Sequence, residues 1–118
     1  MIYHLTSRQA WSEAQGRGEY RAESLESEGF IHCSTETQIL PVANAFYRGQ
    51  QGTLLLAIDP SLLVSELRWE PPVGAPPPAV PEGDLFPHIY GPLNLDAIVN
   101  VYDLESHPDG SYRLPAFD

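Results

Sequence analysis

Phe30-Ile31-His32-Cys33-Ser34 is the stretch on which the reading of this chain turns. It is a short apolar run carrying one imidazole and closed by a hydroxyl, the composition of a strand end. Successive strand residues point to opposite faces, so Ile31 and Cys33 belong to the core while His32 and Ser34 share the other side. Thr35 and Gln38 follow at capping-box spacing. Ile39, Val42, Ala43, Phe46 and Tyr47 then recur at helical intervals. Pro41 inside that pattern either kinks the helix or marks its first turn.

Toward the N-terminus, Ile2-Tyr3-His4-Leu5 reads as a first strand. Thr6 is the expected N-cap of a helix, with Gln9 three residues on. Ala10, Trp11 and Ala14 share its apolar face, and Gly16 and Gly18 end it. Residues 19 to 29 carry Glu19, Glu23, Glu26 and Glu28 around Tyr20 and Leu25, a solvated connection with room for one helical turn.

Toward the C-terminus, Thr53 to Ile58 is a continuous aliphatic run, as expected of a strand buried on both faces. Asp59-Pro60 caps a single turn through Leu63, and Leu67 to Glu70 forms a further strand. Pro71 to Asp84 holds six prolines and two glycines, which makes it a long irregular loop, either a functional lid or a simple insertion. Phe86 to Tyr90 and Ala97 to Leu104 supply the last strands, parted by a Gly91-Pro92 turn. The tail after Glu105 is expected to fray. Helices lie early and strands late without βαβ alternation. The class is therefore α+β, a single domain over residues 1–118 with two early helices and a mixed or antiparallel sheet.

Composition narrows the partners. The net charge is −10, from 16 carboxylates and six basic residues, all of them arginine. Duplex nucleic acid is bound through clustered cations, and Arg8, Arg17, Arg21, Arg48, Arg68 and Arg113 are scattered, so no nucleic-acid duplex is expected as partner. One cysteine, Cys33, excludes an internal disulfide and a cysteine-based zinc framework. The longest aliphatic stretch, Leu54 to Ile58, is too short to cross a bilayer, and no signal peptide is visible. A cytoplasmic protein without a membrane partner is the expectation.

Three strands each offer a histidine beside a hydroxyl or aromatic residue: His4 with Thr6, His32 with Ser34, His88 with Tyr90. Imidazole can donate, accept or bind metal near neutral pH. Each also has an ordinary reading as a half-buried strand histidine with a backbone partner. Three histidines could make an open zinc site, but none shows the close paired spacing of zinc motifs, and no metal is expected. Cys33 reads as an inert core thiol. Glu70 is either a general acid or base or a solvated carboxylate.

At Tyr3-His4-Leu5-Thr6, Glu28-Gly29-Phe30-Ile31-His32-Cys33-Ser34 and Phe86-Pro87-His88-Ile89-Tyr90-Gly91-Pro92-Leu93 the chain resembles a small bacterial family catalogued as domain of unknown function 952. The resemblance covers nearly the full length. It implies an ADP-ribosyltransferase-like fold, whose split, twisted sheet holds NAD in a cleft. His4-Leu5-Thr6 is similar to the His-Gly-Thr of the RNA 2′-phosphotransferase branch, Ile31-His32-Cys33-Ser34 to its Val-His-Leu-Ser, and Leu55-Leu56-Ala57-Ile58-Asp59 to a later strand. By that resemblance His4 would bond a ribose hydroxyl and backbone groups of Leu5 would hold the nicotinamide amide. Thr6, His32 and Ser34 would line the cleft, and Tyr47 would pack under a ring.

The departures bear on activity. Glu28 falls where the phosphotransferase branch has a phosphate-gripping arginine, and Leu5 replaces a glycine that admits the ligand closely. His88, Tyr90 or Asn94 occupies the region of the glutamate that toxin-like transferases use. The expectation is a cleft for NAD or another nucleotide-like small molecule, with cleavage or transfer at an N-glycosidic bond if there is catalysis. His88 and Tyr90 are then the candidate catalytic pair. The alternatives are a non-enzymatic module that binds a small molecule or a partner, and a histidine-ligated metal hydrolase.

Overall fold

In the computed structural model, which describes residues 1–117, the aliphatic run lies at the centre. Strand β4 (Thr53–Ile58) is buried along its whole length. It pairs antiparallel with β1 (Ile2–Ser7) on one side and β8 (Ile98–Asp103) on the other. Its alternating side chains feed two cores. Leu56 and Ile58 join Ile2, Ile31, Ile89 and Leu93, whereas Leu55 and Ala57 join Tyr3, Leu5, Ile39 and Ala43. A leucine so placed contributes about 1.5–3 kcal/mol, which explains an uninterrupted apolar run where a one-sided strand would alternate.

A second three-stranded antiparallel sheet has β6 (Phe86–Tyr90) between β3 (Ile31–His32) and β5 (Glu66–Glu70). The two sheets meet where Tyr3 and Ser34 exchange backbone hydrogen bonds, both at 2.8 Å. Two further short strands, β2 (Glu19–Tyr20) and β7 (Leu93–Asn94), pair with each other. Every ladder is antiparallel, so of the mixed and antiparallel alternatives the second holds. At the β6–β7 turn Gly91 has φ 151°, and a Cβ there would come within 2.4 Å of Ser65 Oγ. Ser65 in turn donates to the Pro92 carbonyl.

Three helices accompany the sheets. Helix α1 (Arg8–Arg17) begins one residue later than Thr6 predicts, because β1 stays paired with β4 through Ser7. Ser7 is the N-cap, accepting from the Ala10 N–H. Gly16 remains inside the helix, and Gly18, with φ 91°, closes it. Helix α2 (Glu23–Ser27) is the single turn expected in the acidic stretch. The Thr35/Gln38 capping box forms, opening a 3-10 turn that runs into α3 (Ile39–Phe46). Pro41 falls in the first turn of α3, where its missing N–H costs nothing.

The tail is a correction. Tyr112 is buried, donates its hydroxyl to the Tyr47 carbonyl at 2.6 Å and its N–H to Asn44 Oδ1 at 2.7 Å. The Phe117 ring packs 5.2 Å from those of Tyr3 and Tyr102. Aromatic anchors rather than regular pairing hold this segment. No helix among the described residues is long and apolar enough to cross a membrane.

Candidate functional site

A cleft of about 800 Å³ opens where the two sheets diverge, and His4, His32 and His88 all line it. Thr6, Ser34 and Tyr47 line it too. Tyr90 does not: its hydroxyl donates to Glu70 Oε1 at 2.5 Å and its ring lies under the Arg68 guanidinium, 4.3 Å away. Of the predicted pair His88 and Tyr90, only the histidine borders the cleft directly.

His4 sits at one end. Its Nδ1 lies 2.5 Å from the His32 carbonyl oxygen. A carbonyl only accepts, so Nδ1 carries the proton and Nε2 is the acceptor. The Tyr20 hydroxyl, 2.8 Å from Nε2, donates to it, and Thr6 Oγ1, also at 2.8 Å, donates to the Tyr20 oxygen. Burial brings the His4 pKa down from 6.5 to about 4, against the opposing effect of the His32 carbonyl. Burial likewise pushes the Tyr20 hydroxyl up to about 12. Both nitrogens of His4 are thus engaged within the protein, and the imidazole is neutral near pH 7. The resemblance implies that His4 bonds a ribose; in this structure the Nε2 that would do so is bonded to the Tyr20 hydroxyl.

His32 and His88 form the other end. They are directly opposite on β3 and β6, with ring centroids 5.4 Å apart. Each holds a carboxylate: His32 Nε2 lies 2.9 Å from Glu28 Oε2, and His88 Nδ1 lies 2.9 Å from Glu70 Oε1. The bonds from Tyr90 and His88 keep the Glu70 carboxyl below the usual range, as an anion. A carboxylate only accepts, so Nδ1 of His88 carries a proton, while Nε2 has no protein partner among the described residues. The His88 side chain is 1% exposed and stacks on Phe30 at 4.2 Å, so the ring is held rigidly. Glu70 therefore acts as neither an isolated acid nor a merely solvated carboxylate.

The edge of β1 supplies backbone groups. Tyr3 spends its N–H and C=O on Ser34, away from β4. Alternation along an antiparallel ladder directs the N–H and C=O of Leu5 the same way. Leu5 lines the cleft, and these two groups are a donor and an acceptor side by side, the pattern that matches a primary amide.

Pro72, Val73 and Pro77 of the proline-rich loop line one wall. The loop's end is tied to α3 by the buried Gln38, whose Nε2 donates to the Leu85 carbonyl at 2.9 Å while its Oε1 accepts from Thr35. Cys33 is buried, and burial pushes its thiol pKa up, away from a nucleophile's range. Among the described residues no set of three histidine, cysteine, aspartate or glutamate side chains is arranged to hold a metal ion.

Tyr20 is the site residue that the sequence reading missed. Its strand is two residues long, too short for any periodicity, and four glutamates surround it in sequence. An isolated aromatic in a solvated stretch was the available sign.

No curated protein matches this chain. Among solved structures it is similar to the protein CC0527 from Caulobacter crescentus. The crystal structure has 31% identity and a TM-score of 0.80, covering 95% of this chain and 92% of that one. A double mutant of the same protein gives 30% and 0.79 over the same shares. Its solution NMR structure gives 30% and 0.68, covering 93% and 89%. The family described as "Protein of unknown function (DUF952)" matches residues 5–101. With most of its length matched, and with His4, His32 and His88 brought to one cleft, the chain belongs to the DUF952 family.

Proposed function

We propose that the cleft binds the nicotinamide-ribose part of an NAD-like ligand, in the manner of an ADP-ribosyltransferase-like fold. The observation that carries this is the Leu5 edge, a backbone donor and acceptor without a partner among the described residues and set in a cleft walled by Tyr20, Tyr47 and Phe86. A flat heterocycle bearing a primary amide satisfies both backbone groups and packs its faces on aromatic rings. The hydroxyls of Thr6, Ser34 and Tyr20 then face the sugar. His4 acts as a positioning residue that sets the Tyr20 hydroxyl.

Chemistry at the N-glycosidic bond calls for groups that favour an electron-poor sugar carbon and a base for the attacking group. His88, with its tautomer set by Glu70, supplies the base through Nε2. Tyr90 contributes only by fixing Glu70. A site that binds without turnover is the alternative reading, because Leu5 stands where the resembled branch has a glycine.

Calorimetric titration with nicotinamide riboside, NAD and ADP-ribose, on the wild type and on His4→Ala, tests the reading. Binding of at least one nicotinamide ligand, lost in the variant, is expected. No heat from any of the three at millimolar concentration would overturn it.

A further inference from the structure

Building on the nucleotide-like reading, we infer that the cleft takes a pyridinium nucleoside without phosphates and discriminates against phosphorylated forms of the same ring. The charges of the wall carry this. Among the described residues lining the cleft there is no arginine, while Glu23 and Glu28 are both present. The arginines are engaged elsewhere: Arg8 with Asp103, Arg21 with Glu19, Arg48 with Asp109, Arg68 with Glu66 and Arg113 with Glu105. Arg17 closes α1. The histidines do not replace them. His4 is neutral near pH 7, and His32 and His88 each sit against a carboxylate.

Backbone groups do not form a phosphate cradle either. Ser7, the N-cap of α1, lines the cleft, and two of the three N–H groups that follow it have partners within the protein. Arg8 N–H donates to the Gly52 carbonyl and Ala10 N–H to Ser7 Oγ. A helix start that binds phosphate keeps such groups for the anion. NAD thus fits at its nicotinamide-ribose end and not at its pyrophosphate.

What the wall does offer suits a cation. An N-ribosylated pyridinium carries a positive charge on a flat ring, and aromatic faces attract such a charge. Tyr20, Tyr47, Phe46 and Phe86 all border the cleft. Phe46 and Val73 are 62% and 60% exposed there, apolar surface that a seated ring would cover. Glu28 spends only Oε2 on His32. Its other oxygen can accept from a ribose diol, the role a carboxylate takes in nucleoside recognition.

The test compares nicotinamide riboside with its 5′-monophosphate and with NAD, by calorimetry at low and high salt. The riboside is expected to bind roughly tenfold more tightly than the monophosphate at low salt, with the gap narrowing as salt screens the glutamates. Glu28→Gln and Glu23→Gln should each narrow it as well. Monophosphate or NAD binding as tightly as the riboside would overturn this inference while leaving the nicotinamide reading intact. Silence from all three would remove both.

Discussion

The two ends of the cleft use the same side chain in opposite ways. At one end His4 has both ring nitrogens bonded within the protein, is neutral near pH 7, and is part of a chain through Tyr20 to Thr6. At the other end His32 and His88 each commit one nitrogen to a carboxylate and, among the described residues, leave the second without a protein partner. An imidazole that has spent its hydrogen-bonding capacity is scaffold; one oriented by a carboxylate with a nitrogen to spare has the arrangement that proton transfer requires. The difference lies in the partners, and it can be broken at either end.

The largest effect is expected at His4. His4→Ala removes a buried ring together with its bonds to the His32 carbonyl and the Tyr20 hydroxyl, at a cost on the order of 4 kcal/mol. His32→Ala, on a side chain 44% exposed, should fall within about 0.5 kcal/mol of wild type. Urea unfolding of the two variants measures the contrast. Equal losses would mean that both ends are structural.

The same contrast has a pH signature. His4 titrates at 6.5 when unfolded and at about 4 when folded, so between these values the unfolded chain binds more protons. Stability from this residue is complete above pH 6.5 and falls with acidification until about pH 4, a loss of about 3 kcal/mol. Glu70, held below its usual pKa, adds a loss in the same direction at the acid end. His4→Gln should therefore show a shallower decline between pH 6.5 and 4 than the wild type. Parallel curves for the two proteins would show that His4 is not desolvated as described.

Tyr20→Phe probes the link between the ends of that chain. It deletes the donor to His4 and the acceptor for Thr6 while keeping the ring, and should cost about 1–2 kcal/mol. Ligand affinity should fall with it if the hydroxyl faces the sugar. At the far end Glu70→Gln should lower the unfolding midpoint modestly, since the anion that Tyr90 and His88 bond is lost, and shift the ring-nitrogen resonances of His88. An unchanged spectrum would break the dyad.

Much of this was legible in the sequence, and the exceptions share a cause. Alternation assigned Ile31 and Cys33 to the core and put His32 with Ser34, because a strand's period is independent of what lies around it. The aliphatic run from Thr53 to Ile58 announced a strand covered on both faces. Thr6 failed as a cap because tertiary pairing with Thr53 and Leu54 carried β1 past the local helix start. Strands β2 and β7 are too short to carry a pattern, and with β2 went Tyr20. The tail was misjudged because Tyr112 and Phe117 are anchors without periodicity. Three histidines were found and the partners that distinguish them were not. Glu70 and Tyr20 reach the site only through folding, 18 and 16 residues away from the histidines they bond.

The smallest effect on stability is expected from the loop facing both ends. Between Gly74 and Ala79 most residues are exposed, with Pro77 the buried exception, and Ala79 holds a strained φ of 72°. Deleting these residues removes little packing and relieves that strain, while shortening the closure changes loop entropy by under ~1 kcal/mol. The melting temperature should stay close to wild type. Pro77 and Ala75 nevertheless wall the cleft, so ligand should enter and leave faster and bind more weakly, which stopped-flow fluorescence of the nearby tyrosines can follow. Gln38 still ties the loop's end to α3 through the Leu85 carbonyl, so the deletion isolates the lid from its anchor. A large fall in melting temperature with unaltered ligand kinetics would mean that the segment packs as structure and covers nothing.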